Sequence, residues 1–350
     1  MKKLLVAIAA LAMFASSAAY AADWNFYGNV RVWTFYNMEE TNGTDAEADN
    51  LEWKLSPYSR IGANIKVSDE LSARFEYGSS SSVNLRLIYG EWNFGAGSLR
   101  IGQDWAPTFM GGSNQVWRGY ALGGVGELGG YRAAQLKLIM GGFRLALVEP
   151  STDYAEVVGG IPTEGSTYGT EVKLPQIAAK YIFSGDNWSA RVTGAYSTFE
   201  VNDDEDIDAW LLGAGADMTF GGLTLYASAH TGQNLGNLGN AVESTDVTDY
   251  VTSLAKYDGT DVVDCDSLAF RIVAYYAIND MLGFEIGYGY AENEFDETGA
   301  EDDEVTSYYV NMPITMAPGV ILTPEIGVVD YEETGSSEIT YVGAHWRINF

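Results

Sequence analysis

Polar and apolar side chains alternate along most of this chain with a period of two residues. In one clear example, Ile61, Ile65 and Val67 fall on one face of a strand, while Arg60 and Lys66 fall on the other. Runs of about ten such residues, separated by turns, are typical of β-strands, and helical spacing is almost absent. The pattern therefore predicts an all-β fold.

The connections between these runs are alternately short and long. The short turns are predicted at 68–70, 95–97, 140–142, 184–187, 220–222, 278–280 and 317–319. The long loops are predicted near 37–52, 79–82, 106–130, 150–175, 201–206, 232–265, 293–303 and 332–337. Seven turns and eight loops connect sixteen strands. This even number returns both termini to one rim, as a closed antiparallel barrel requires.

Alternation alone does not separate a membrane barrel from a soluble sandwich, because both repeat every two residues. The discriminating feature is the number of strands that share an apolar face. An apolar band over sixteen consecutive strands is too large to form one protein core. We therefore expect a sixteen-stranded antiparallel transmembrane β-barrel with short periplasmic turns and long, acidic extracellular loops.

The first residues have the features of a secretory signal peptide. Lys2 and Lys3 precede an apolar run over 4–14, and small residues lead to a predicted cleavage site after Ala21. We therefore expect a signal peptide over 1–21, a barrel domain over 22–350, and export to the outer membrane of a Gram-negative bacterium. The single cysteine can form no disulfide within the chain.

The charge balance is strongly acidic, with 19 Lys and Arg against 48 Asp and Glu and a net charge of -29. Nucleic acid is excluded as a partner, because binding it requires a basic face. The acids concentrate in the predicted loops, where they form a solvated surface or bind calcium or other divalent cations that bridge lipopolysaccharide phosphates. Outer-membrane lipid and lipopolysaccharide are the expected partners, and no resident cofactor is predicted.

Arginines occur in the strands on the face opposite the aliphatic side chains. A charged side chain that faces lipid costs about 2–4 kcal/mol at the membrane midplane, whereas one facing water inside a barrel costs little. The alternative for any one arginine is a simple ion pair on the wall, such as Arg74 with Glu76. The residues predicted to point into the lumen are Arg31, Arg60, Arg74, Arg86, Arg100, Arg144, Arg191 and Arg271.

Four segments carry a resemblance to a known family. They are the opening strand 24–31, the hairpin and strand 90–103, the Pro-x-Phe-x-Gly-Gly segment 107–112, and the last strand from Tyr341 to the terminal Phe350. With these segments the chain resembles the sixteen-stranded trimeric general porins of Gram-negative outer membranes. The resemblance implies a homotrimer and implies that the barrel-insertion machinery reads Phe350.

The resemblance also implies a water-filled channel that the third loop, about 106–130, narrows by folding inward. Acids on that loop would then face a basic wall, and Asp104 and Glu127 are the candidate acids. Two residues depart from the family pattern: Gln103 stands where arginine is frequent, and Ser113 stands where enterobacterial members carry an acid. The third loop is rich in glycine, which permits left-handed backbone. The longer sixth loop, about 232–265, is the alternative segment to fold inward.

Catalysis has little support in this sequence. The two histidines, His230 and His345, lack an orienting partner in a recognisable arrangement, and nucleophile-elbow, zinc-protease and phosphate-loop motifs are missing. We therefore predict an outer-membrane porin that acts as a passive diffusion channel for ions and small hydrophilic solutes. A porin selective for sugars or small anions, and a non-conducting structural or adhesin barrel, are the alternatives.

Overall fold

A computed structural model describes residues 22–350 except for ten short segments that all fall between strands. These are 45–46, 80–81, 118–124, 130, 159–160, 166, 203–204, 240–252, 298–302 and 333–335. The predicted signal peptide, 1–21, lies outside the described residues. Among the described residues, no helix combines the length and the hydropathy needed to cross a bilayer.

The described part of the chain is built almost entirely of β-strands. The strands are β1 (Asp23–Thr41), β2 (Glu47–Leu55), β3 (Ser59–Lys66), β4 (Leu71–Ser79), β5 (Val83–Asn93), β6 (Ser98–Trp105), β7 (Arg132–Met140), β8 (Phe143–Val148), β9 (Ala155–Val158), β10 (Ile161–Glu164), β11 (Thr170–Glu171), β12 (Gln176–Ser184), β13 (Trp188–Val201), β14 (Glu205–Phe220), β15 (Leu223–Gln233), β16 (Lys256–Tyr257), β17 (Val262–Val263), β18 (Cys265–Ala277), β19 (Gly283–Phe295), β20 (Asp303–Asn311), β21 (Ile314–Ala317), β22 (Val320–Tyr331) and β23 (Ser337–Asn349). A short 3-10 helix, Leu235–Leu238, follows β15.

The large sheet closes into a barrel of sixteen antiparallel staves, as predicted. Some staves consist of two strands in line: β2 continues into β3 along β1, and β20 continues into β21 along β22. The last strand, β23, pairs with β1 and closes the ring. At the closing seam, the Gly28 amide donates to the Phe350 carbonyl over 2.7 Å, and the Phe350 amide donates to the Gly28 carbonyl over 3.0 Å.

All seven predicted short turns connect adjacent staves at one rim of the barrel, called here the turn rim. At the opposite rim, called the loop rim, the strands extend further than predicted. In the first long loop, Asn37 pairs with Asn50 and Glu39 with Ala48, so the hairpin continues into the segment predicted as loop. Ladder pairing satisfies the backbone whichever side chains are present, so a hairpin in water needs no apolar face.

The fourth and sixth long loops form a second, smaller sheet, which the sequence pattern did not predict. Its order is β10-β9-β16-β17, and β16 runs parallel to β9. Beneath it, Tyr154, Phe199, Val201, Ile207 and Tyr257 are buried in one apolar cluster. The two loops are therefore packed on one another at the loop rim.

The two faces of the barrel wall differ in polarity. Large apolar side chains on the outer face remain exposed, for example Ile272 at 57% and Ile326 at 52%. Trp92, Trp188 and Trp346 are also exposed on this face, near the turn rim. Inward positions hold polar and charged side chains, so the barrel has an apolar exterior and a polar lumen.

This polarity predicts that Ile272→Arg destabilises the protein by about 2–4 kcal/mol, because the new charge would face lipid near the middle of its strand. The matched control is Asn64→Arg, which adds the same side chain at an exposed inward position. Urea titration in lipid vesicles measures the free energy of unfolding of each variant. Equal losses of unfolding free energy would contradict the assigned polarity.

Candidate functional site

The third long loop lies inside the barrel, against inward side chains of the wall. The Tyr226 hydroxyl of β15 donates to the Met110 carbonyl over 3.1 Å, and the hydroxyls of Ser113 and Tyr309 lie 2.7 Å apart. In the sixth loop, the described side chains of Leu235 and Leu238, next to the end of β15, are also buried. Of the described parts of these two loops, it is the third loop that contacts inward side chains on staves from β15 to β22.

Two inward carboxylates hold the loop through its backbone amides. Glu285 on β19 accepts hydrogen bonds from the Asn114 amide (2.6 Å) and from the Asn114 side chain (2.7 Å). Glu325 on β22 accepts from the amides of Val116 (2.8 Å) and Trp117 (2.9 Å). Hydrogen bonds to a charged acceptor are stronger than neutral ones. These carboxylates supply acceptors for loop amides that the barrel ladder cannot satisfy.

Trp117 fixes the described end of this loop segment by stacking and by a hydrogen bond. Its ring lies parallel to that of Tyr341, with centroids 4.4 Å apart. Its indole nitrogen donates to the Asn37 side chain over 2.9 Å. The side chain is 1% exposed. The loop is therefore attached to the β1–β23 seam as well as to β19 and β22.

Glycine allows the second described segment of the loop, 125–129, to touch the wall. Gly126 has φ +79°, and a Cβ there would lie 2.0 Å from the Phe270 carbonyl oxygen. A Cβ on Gly289 would lie 2.0 Å from the Val125 carbonyl oxygen. The prediction of left-handed glycines holds at Gly126 but not at Gly111, Gly112 or Gly129. Close backbone approach is the more general reason for glycine here.

A group of arginines surrounds one carboxylate, that of Glu76 on β4. Oε1 of Glu76 lies 2.6 Å from Arg86 Nε and 3.3 Å from Arg60 Nη1, and Oε2 lies 3.1 Å from Arg74 Nη2. The Tyr27 hydroxyl also donates to Oε2, over 2.9 Å. Arg86 is the extra residue of a β-bulge opposite Glu76, and bulges redirect side chains in this way.

Three further arginines extend this group. Arg31 lies within electrostatic range of Arg60, Arg86 and Arg347, and Arg132 lies within range of Arg60 and Arg86. Among the described residues, Glu76 is the carboxylate that forms ion pairs within the enlarged group, and it pairs with Arg60, Arg74 and Arg86. The arginine cluster, as we call it, therefore has a large excess of positive charge. Its members are Arg31, Arg60, Arg74, Arg86, Arg132 and Arg347.

The other inward basic residues are more evenly matched by acids. Arg100 bonds both Glu91 and Asp104 over 2.5 Å. Lys137 bonds the same oxygen of Asp104 over 2.6 Å, so this group has two positive and two negative side chains. Further round the wall, Arg191 Nη2 lies 2.5 Å from Asp217 Oδ1. Lys180 and Arg144, which donate to the carbonyls of Phe109 and Gly141, have no ion pair among the described residues, but the arginine cluster is the largest group with excess positive charge.

The structure places the two candidate acids in different surroundings. Asp104 is on β6, at the base of the loop, where it pairs with Arg100 and Lys137. Glu127 is on the loop itself, within electrostatic range of Arg271 on β18. Burial raises the pKa of Glu127 to about 8, although the guanidinium of Arg271 opposes this shift. Glu127 is therefore largely protonated at neutral pH.

The remaining predicted residues have local structural contacts. The Gln103 side chain donates to the carbonyls of Leu85 and Arg86, over 2.9 and 3.2 Å, and so supports the bulge. Arg144 donates to the Gly141 carbonyl over 2.5 Å at the turn rim. Arg271 is 1% exposed and lies over the Tyr226 ring, 5.7 Å from its centroid. Their roles in conduction stay predictions.

Several residues at this site were not singled out from the sequence. Strand alternation could have found the inward acids Glu285 and Glu325, and the inward lysines Lys137 and Lys180, since all four oppose aliphatic neighbours. Lys180 donates to the Phe109 carbonyl at the start of the loop. Strand alternation could therefore have identified the inward side chains that anchor the loop, but not the loop residues that they bind.

A family model described as Gram-negative porin matches residues 7–334 of this chain. Among curated proteins, no sequence matches significantly. A structure of the outer membrane channel DcaP of Acinetobacter baumannii is similar at 18% identity, covering 95% of this chain and 99% of that one, with a TM-score of 0.74.

Two further solved structures share the fold. An anion-selective porin from Comamonas acidovorans is 15% identical, covering 94% of this chain and 100% of that one, with a TM-score of 0.60. The trimer form of OmpT, an outer membrane protein of Vibrio cholerae, is 15% identical, covering 93% and 99%, with a TM-score of 0.55.

The anchoring contacts predict that Glu325→Gln loosens the loop. The amide keeps the shape of the side chain but loses charge-assisted bonds to two backbone amides, which are worth about 1.5–3 kcal/mol each. We expect a lower free energy of unfolding and larger fluctuations of single-channel current in planar bilayers. Glu292→Gln, a change outside these contacts, is the control. Unchanged current noise in Glu325→Gln would contradict the anchoring role.

The raised pKa of Glu127 predicts a pH dependence of ion preference. Between pH 7 and pH 9 its carboxyl loses a proton, so the lumen gains negative charge and the chloride-to-potassium permeability ratio falls. One unit charge screened by water changes the free energy of a nearby ion by less than about 1 kcal/mol, so the change in the ratio is up to about fivefold. Reversal potentials across a KCl gradient measure this ratio. Glu127→Gln should remove the dependence, and an equal dependence in that variant would contradict the assignment.

Proposed function

We propose that this chain, which belongs to the Gram-negative porin family and is an outer-membrane channel, favours small anions where the third loop narrows the lumen. Ions and small hydrophilic solutes enter by passive diffusion. The loop excludes large solutes by size, and the arginine cluster acts on those that fit. The observation that carries this proposal is the unbalanced charge of that cluster around Glu76.

The physical basis is the sign of the charge at the narrow part of the path. Where the third loop restricts the lumen, water screens the wall charges less than in bulk solution. Excess positive charge in such a restricted space raises the local concentration of anions and lowers that of cations. The paired group of Arg100, Glu91, Asp104 and Lys137 contributes little net field. The Comamonas structure named as an anion-selective porin shows that this fold supports such selection.

The negative charge of the whole chain does not conflict with anion preference. Much of the acid lies in the predicted long loops, as in segments 39–49 and 292–304, where β1, β2, β19 and β20 end at the loop rim. Charges separated by more than about 10 Å of salt solution at 0.1 M are largely screened from one another. The residues next to the third loop therefore control selection more than the distant acids do.

A homotrimer is the proposed assembly. The trimer form of Vibrio cholerae OmpT shares this fold, and the apolar exterior of the barrel provides surface that neighbouring copies or lipid can cover. Light scattering of the purified protein in detergent, corrected for bound detergent, measures the protein mass. Three times the mass of the processed chain would support the proposal, and the mass of one chain would contradict it.

Two other sequence-based expectations remain proposals. They are the binding of calcium or other divalent cations by the acidic extracellular loops, bridging to lipopolysaccharide, and recognition of Phe350 by the insertion machinery. Phe350 is 70% exposed at the closing seam, so its side chain is accessible. Isothermal titration with calcium tests the first proposal, and in vivo assembly of a Phe350→Ala variant tests the second.

The selection proposal predicts that the double variant Arg60→Gln/Arg74→Gln shifts the reversal potential toward cation preference. Two positive charges leave the arginine cluster, so the chloride-to-potassium permeability ratio should fall several-fold at about 0.01 M salt and little at 1 M, where the Debye length is about 3 Å. The measurement is a KCl-gradient reversal potential in planar bilayers.

The matched control is Arg191→Gln/Asp217→Asn, which also removes two charged groups but leaves the net charge unchanged. Its permeability ratio should stay near that of the unaltered protein. Equal ratios in both double variants would show that the arginine cluster does not determine ion preference.

A further inference from the structure

A distinct cavity of about 240 Å³ lies between the third loop and the wall, on the turn-rim side of the loop. Its walls come from β1, β3 and β21 to β23, together with residues 113–116 of the loop. It is partly open, and the strand residues that line it point into the lumen. A solute that has passed the loop can therefore enter it without a change in the fold.

One wall of this cavity is cationic. Arg31, Arg60 and Arg347 line it, and none of the described lining residues is acidic. Arg31 is 5% exposed, and its Nη1 is buried without a hydrogen-bond partner among the described residues. Nε of Arg347 is likewise buried without a hydrogen-bond partner among the described residues. Unsatisfied buried donors of this kind cost free energy unless an acceptor is supplied.

Neighbouring bonds hold Arg31 in position. Its Nε donates to the Asn29 side chain over 2.8 Å, and its backbone amide donates to the Ser59 hydroxyl over 2.9 Å. The guanidinium is thus oriented before any ligand arrives. A carboxylate is the acceptor that fits guanidinium donors best, since its two oxygens match their spacing.

Part of the cavity lining is apolar. Ile321 of β22 is the cross-strand neighbour of Arg347, and Val116 of the third loop and Pro313 between β20 and β21 also line the cavity. A cavity of about 150 Å³ is large enough to hold benzene, so this one has room for a six-membered ring and a carboxylate together. Hydrated chloride or acetate would leave the apolar lining uncovered.

We propose that this cavity binds small carboxylates that carry an apolar ring or short chain. The carboxylate accepts hydrogen bonds from Arg31 and Arg347, and the apolar body packs on Val116, Pro313 and Ile321. The proposal rests on the proposed function, because the cavity shares Arg31, Arg60 and Arg347 with the arginine cluster. It adds a substrate class to a channel that otherwise distinguishes solutes by size and charge.

Three probes of related shape test the proposal on the unaltered protein: benzoate, acetate and benzyl alcohol. Acetate has the charge without the ring, and benzyl alcohol has the ring without the charge. Isothermal titration of the detergent-solubilised protein should show benzoate binding at least about tenfold more tightly than either, from ring burial and from charge-assisted bonds. Benzoate should also reduce single-channel KCl current in a saturable manner. Equal affinity for benzoate and acetate, or for benzoate and benzyl alcohol, would overturn the proposal.

Two variants then locate the site. Arg347→Gln should weaken benzoate and acetate binding alike, by roughly tenfold. Ile321→Thr should reduce the preference for benzoate over acetate without altering the chloride-to-potassium permeability ratio. Arg191→Gln, outside the cavity, is the control and should leave benzoate binding unchanged. Unchanged benzoate affinity in both cavity variants would place the binding elsewhere and overturn the assignment.

The two proposals fail in distinguishable ways. A channel without anion preference in KCl would contradict the proposed selection whether or not benzoate binds. An anion-preferring channel that binds benzoate no better than acetate would leave the selection intact and remove the carboxylate site. If a variant does not fold, the comparison of the three probes on the unaltered protein still decides.

Discussion

The constraint on which this structure depends is the cost of placing charge against lipid. Because that cost is about 2–4 kcal/mol for a basic side chain at the membrane midplane, strand arginines and lysines must share one lumen. Crowding like charges there requires counter-ions or water. The balance of charge differs between two groups of residues. Arg100 and Lys137 are paired with two acids, Glu91 and Asp104. In the arginine cluster, Glu76 is the acid that forms the described ion pairs.

The same constraint explains how a loop can remain inside the barrel. Its backbone amides lie away from the strand ladders, and Glu285 and Glu325 provide the acceptors they need. Those acids bind the loop and are covered by it, so they do not neutralise the positive charge of the arginine cluster across the lumen. Anchoring and charge selection therefore use separate carboxylates, and together they produce a narrowed path with one strongly basic side.

The strand pattern was sufficient to predict the barrel, its sixteen staves and its short turns, because lipid enforces the alternation on every stave. It did not predict the sheet formed by the fourth and sixth loops, since residues in water carry no such periodicity. Alternation placed Arg60, Arg74 and Arg86 inward. Their ion pairs with Glu76, however, depend on the register between strands and on a bulge at Arg86. The attachment of Trp117 to Tyr341 is a contact between residues far apart in the chain, and local pattern carries no information about it.

If an apolar exterior surrounds a water-filled, conducting lumen, the purified protein must carry ions across a membrane. The single-channel current of the purified protein in a planar bilayer tests this most directly. We expect discrete openings whose conductance rises with the bulk concentration of KCl, as for ions moving through water. A protein that inserts into the bilayer but carries no current at any salt concentration would contradict this account.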